Sequence, residues 1–178
     1  LLLNEQQTRR WPAFERRFRR DKTLSEGGLS GESVNLFHVI RDMDLAPAYR
    51  KAVAESLDRY DLELDAALRQ RNEYLPTARR ELAAAAETED ASRAETVARR
   101  KVQLQMAVRE VNDTFTEIIA GDLPADLGRE FQELAISRGY SRVYRTTRGQ
   151  RMFDEARRSG ALSPEALAAI DELEAGYR

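Results

Sequence analysis

Chemistry that needs a thiolate is closed to this chain, because its 178 residues include no cysteine. Imidazole chemistry rests on one histidine, His38. His38 and Asp42 stand four residues apart, which places two metal ligands on one face of a helix, with Asp44 nearby. Two ligands do not close a metal site, and the three methionines (Met43, Met106, Met152) are scattered along the chain. His38 and Asp42 are therefore weak metal candidates, and no cofactor is expected. The stretch LSEGGLSGES has glycines but lacks the lysine of a phosphate-binding loop. No serine sits in a nucleophile elbow that the one histidine could serve. Carboxylate pairs such as Asp61 with Asp65, or Glu63 with Asp65, arise by chance at this acid content and read as a solvated helix face. No catalytic residue is assigned, and the chain is expected not to be an enzyme.

The other chemistry is cationic and aromatic. Residues 9–22 carry Arg9, Arg10, Arg16, Arg17, Arg19, Arg20 and Lys22 against Glu15 and Asp21, although the whole chain has a net charge of −2. On a helix, Trp11, Phe14 and Phe18 share one face, flanked by Arg10 and Arg17. The ordinary outcome for such rings is core, with the arginines as a solvated rim. The functional alternative is a mixed aromatic and cationic surface for an unfolded chain or a partner helix. Nucleic acid is disfavoured by the acidic total and the lack of a binding-fold motif. A membrane foot is disfavoured by the shortness of the apolar face. A second basic stretch, SRGYSRVYRTTRGQRMF, adds Tyr140, Arg142, Tyr144 and Arg145. It reads as a loop that pairs with acidic helix faces, or as a second part of the same partner surface.

The elements that position these residues are helices. The composition is 42% hydrophobic and 34% charged, rich in Ala, Leu, Glu and Arg, and no strand pattern stands out. A first helix is expected from about Glu5 to Arg20 through Pro12. A glycine- and serine-rich loop follows, then a short helix through VNLFHVIRDM capped by Ser30 or Ser33. A long helix from about Pro47 to Ala86 carries Val53, Leu57, Tyr60, Leu64 and Leu68 as a coiled-coil-like stripe, and Pro76 should kink or break it. A second long helix, about Ala91 to Ala120, carries Val97, Leu104, Val108, Val111, Phe115 and Ile118, with Gly121 as its stop. Three shorter helices follow, about 124–138, 148–158 and 164–177. No apolar run is long enough to span a membrane.

Four helix starts resemble one another: LNEQQ from Leu3, LAPAY from Leu45, LPADL from Leu123 and LSPEA from Leu162. Asn4 with Gln7 forms a relative of the capping box, and Ser163 caps ahead of Pro164 with Leu162 stapled onto Leu167. Asp44 or Asp122 would have to substitute as cap at the middle two. DMDLAPAYRKAVAESLDRYDLELDAAL and REVNDTFTEIIAGDLPADLGREFQEL resemble the motif-bearing helices of the Spy/CpxP family of periplasmic LTxxQ proteins, over about residues 42–135. None of the four starts has Thr after Leu, and only the first keeps the final Gln, at Gln7.

The resemblance implies an all-α fold with long kinked helices in an extended, cradle-like hairpin and shorter flanking helices. It implies one domain over 1–178, with a basic segment at 1–41, a core at 42–135 and an extension at 136–178. It also implies an ATP-independent chaperone or envelope-stress protein, periplasmic and homodimeric, that holds partly folded clients. Some relatives sense metals, which gives a second reading; a helical scaffold or adaptor is a third. The chain opens on Leu1, so the periplasmic expectation rests on the resemblance and not on a leader. Long stripes on thin helices are expected to need a second copy to cover them.

Overall fold

A computed structural model describes residues 4–141, 148–158 and 163–177. All regular structure among them is helical. Two compact units divide the chain, Leu1–Ser141 and Arg142–Arg178.

The first unit is built on α4 (Ala54–Glu87) and α5 (Ala91–Gly121), an antiparallel hairpin. Before it come α1 (Glu5–Thr23), a 3-10 turn (Leu24–Glu26), α2 (Leu36–Asp42) and α3 (Pro47–Ala52); α6 (Ala125–Gly139) follows. α1 lies along α4, and α6 packs on α5 and α2. The hairpin turn uses Glu89 in the left-handed region (φ 53°) and Asp90 as cap, accepting from the Arg93 amide at 3.0 Å.

Several local expectations are corrected. The helix expected from Pro47 divides at Val53 into α3 and α4. Of the kink or break expected at Pro76, the break does not occur: α4 runs on through it, because one missing amide is absorbed by a long, well-packed helix. Asn35, not Ser30 or Ser33, caps α2, accepting from the Phe37 amide at 3.2 Å. Gly121 is the last residue of α5 and not the residue beyond it; Asp122 caps. Asp122 and Asp44 do not cap the helices after them: α3 and α6 start without a side-chain cap, and Asp122 instead accepts from the Ser56 hydroxyl.

The stripes of both long helices are covered inside one chain. Tyr60, Leu64 and Leu68 of α4 meet Val108, Phe115 and Ile119 of α5, and Leu36, Val39 and Phe131 close over them. Leu57, Val111 and Ile118 are only partly buried, but they pack on the same core. The exposed ridges expected to require a second copy are thus absent from this face, because α2 and α6 occupy it.

Polar groups at the centre of this core pair with one another. The Tyr60 hydroxyl donates to Asn112 Oδ1 at 2.9 Å, and burial pushes the phenol well above its ordinary pKa. Asn112 Nδ2 donates to the carbonyls of Gly31 (2.8 Å) and Glu32 (3.0 Å), tying the glycine-rich loop to α5. Glu32 and Arg71, both fully buried, pair at 2.7 Å, and Arg71 also donates to the Thr23 carbonyl at 2.5 Å. Gly31 takes φ 84°, and a Cβ there would meet the Tyr140 ring. At Gly128 a Cβ would strike the Ala120 carbonyl, so glycine sets how closely α6 approaches α5.

The second unit holds α7 (Arg148–Arg158) and α8 (Pro164–Tyr177), joined by Arg157 donating to Asp171 at 2.7 Å. Ser163 caps α8, accepting from the Ala166 amide at 3.3 Å. The expected staple from Leu162 lies outside the described residues.

Candidate binding surface

The sequence of α1 suits a helix from its first turn: Asn4 accepts from the Gln7 amide at 2.8 Å, and Gln7 accepts from the Asn4 amide at 3.0 Å. The orientation of that helix is unusual. Amphipathic surface helices turn their apolar face to the core; α1 turns charge inward. Arg16 donates to Asp61 at 2.5 Å. Arg20 also donates to Asp61, and Arg19 donates to Asp65. Arg20 is only 7% exposed, and its guanidinium lies 4.0 Å over the Phe37 ring. Asp61 and Asp65, read from sequence as a solvated face, are thus the acceptors that hold α1 against α4. Their side chains are 15% and 13% exposed.

The rings point the other way. Trp11, Phe14 and Phe18 are 42%, 55% and 54% exposed, so the core expected of them is corrected. They run along the helix, with centroids 5.4 Å apart for Trp11–Phe14 and 6.2 Å for Phe14–Phe18. Lys22 Nζ lies 5.8 Å from the Phe18 centroid. Arg10 and Arg17 are both exposed beside the rings, and Arg17 reaches Asp21 at 3.5 Å. Three of the seven bases in this stretch are held by Asp61 and Asp65. That lowers the cationic character free to meet phosphate and weakens the nucleic-acid reading further.

Tyr140 and the metal candidates are engaged or placed elsewhere in the first unit. Tyr140 is half-buried in the first unit; its hydroxyl donates to Asp113 at 2.8 Å and accepts from Arg109 at 3.0 Å. Burial and the Asp113 carboxylate raise its pKa. It fastens α6 onto α5 beside Gly31. Arg142, Tyr144 and Arg145 lie outside the described residues. His38 is exposed, and Asp42 is engaged by Arg41 and Arg138, each at 2.9 Å, which lowers its pKa. Among the described residues no three His, Asp or Glu converge on a point where a metal could sit. No helix among them is long and apolar enough to cross a membrane.

No family model, no curated protein and no solved structure matches this chain.

Proposed function

We propose that this protein binds polypeptides without transforming them, and that the outward face of α1 is the contact surface. The observation that carries this reading is the inverted helix: three large rings face water while three arginines are turned inward. Exposed aromatic rings in a row, with cations beside them, are the composition enriched where proteins bind one another. The resemblance to the Spy/CpxP proteins extends the reading to ATP-independent holding of partly folded clients in the periplasm. The buried stripes of α4 and α5 weigh against a wide apolar cradle and place the burden on α1. A metal-sensing role has less support, since Asp42 is already occupied by two arginines.

The test is light scattering of reduced α-lactalbumin without nucleotide. Wild type at near-equimolar ratio is expected to suppress aggregation, and the triple variant W11S/F14S/F18S to lose that suppression. Suppression that survives the triple variant would move the binding surface away from α1. A wild type that leaves aggregation unchanged removes the chaperone form and leaves an adaptor for a specific partner.

A further inference from the structure

The ring spacing on α1 is that of a coiled-coil seam. With Trp11 and Phe18 at a and Phe14 at d, Arg10 and Arg17 both fall at g, and Glu15 and Lys22 both fall at e; the next d is Asp21, where the apolar seam ends. Arg16, Arg19 and Arg20 then occupy f, b and c, the positions a coiled coil gives to solvent; here they face α4. α1 is half of a helix pair, already folded and clamped from behind. A partner therefore need not supply the ordering of this strand, which favours binding through a short seam.

We infer that the missing half is an acidic amphipathic helix of another protein; this rests on the polypeptide-binding reading above. Charge decides between occupants. One edge of the seam is arginine at both heptads, so a partner with Glu or Asp opposite gains an attractive pair at Arg10 and a second at Arg17, where it shares the guanidinium with Asp21 at 3.5 Å. A second copy does not supply them. Paired in parallel, Arg10 meets Glu15 of the second copy but Arg17 meets its Lys22, and the two effects cancel. Paired antiparallel, the arginine edge faces itself. The seam itself is a short face, well below the roughly 800 Å² per partner of a stable interface, so the complex is expected to be reversible.

The chain has one tryptophan, and it lies in the seam, so Trp11 emission reports occupancy directly. The probes are two synthetic leucine-heptad helices, alike except that one carries Glu and the other Lys at every e and g position. The Glu helix is expected to shift Trp11 emission to the blue and to bind about tenfold more tightly than the Lys helix. The variant R10E/R17E, altered only at exposed side chains, is expected to reverse that preference. Equal binding of both helices overturns the acidic partner and leaves polypeptide binding standing. If neither helix binds and Trp11 responds instead to phosphatidylglycerol vesicles, the occupant is a lipid surface. Self-association in sedimentation that Trp11→Ser abolishes would assign the seam to a second copy. If neither helix binds and α-lactalbumin is not held either, the polypeptide-binding reading fails as well.

Discussion

α5 and α1 carry apolar residues at similar helical spacing and meet opposite fates. On α5, Val108, Phe115 and Ile119 are buried to 1% exposure or less. On α1, the rings are about half exposed, and the charged face is the one that packs. The difference lies in what each helix meets. α5 faces the apolar stripe of α4. α1 meets the flank of α4 that bears Asp61 and Asp65. Turning α1 over would press three rings onto two carboxylates and strip those carboxylates of their donors. Turned over, the helix would forfeit three charge-assisted bonds of about 1.5–3 kcal/mol each and leave two largely buried carboxylates desolvated, whereas the half-exposed rings would gain only the part of their burial that they lack. Periodicity finds an amphipathic face; the neighbour decides which way it turns.

The largest effect expected from this contrast is at Phe115. Phe115→Ala removes a ring from the centre of the core, beside Tyr60 at 5.6 Å between centroids. A loss of about 3–5 kcal/mol is expected, read as a lower urea midpoint at unchanged slope. A loss under about 1 kcal/mol, the range of exposed sites, would mean that α5 is no more committed to the interior than α1 is.

What was legible in the sequence follows the same physics. The all-helical class, both long helices and the Asn4 and Ser163 caps come from local rules, and the structure has them. The stripes on α4 and α5 were legible as apolar faces, but not their coverage within one chain, because α2 and α6 come from distant segments. Asp61 and Asp65 were misread because their partners lie 45 and 46 residues away. A signal for them existed. Arg16, Arg19 and Arg20 share the face opposite the rings, and Asp61 and Asp65 sit one turn apart, so the two charge patterns are complementary. Glu32 offered no such signal. One of two acids in a glycine-rich loop does not announce a buried arginine 39 residues on.

A smaller effect is expected at the clamp. Asp61→Asn weakens the acceptor of both Arg16 and Arg20 while keeping its shape. The pairs are partly solvated, so the loss is expected at about 1–2 kcal/mol, below that of a fully buried ion pair. It should be local: hydrogen exchange of α1 amides rises while those of α5 hold. Equal loss of protection in both helices would show α1 to be an integral wall of the core, and the contrast between the two helices would lose its basis.

The smallest effect is the most informative. Phe18→Ser removes a ring that is wet in the folded state as well as the unfolded one. Area burial therefore contributes little, and what remains is the contacts with Phe14 and with the Lys22 ammonium, together about 1 kcal/mol at an exposed site. The urea midpoint should move by no more than that. Because the same residue at Phe115 is expected to be several times more costly, the pair of measurements separates a ring kept for packing from one kept for contact. If Phe18→Ser instead costs about 2 kcal/mol or more, in the range of a buried side chain, the ring is covered in solution. Dependence of that loss on protein concentration would then identify the cover as a second copy, since unfolding of an associated species follows mass action and unfolding of a monomer does not.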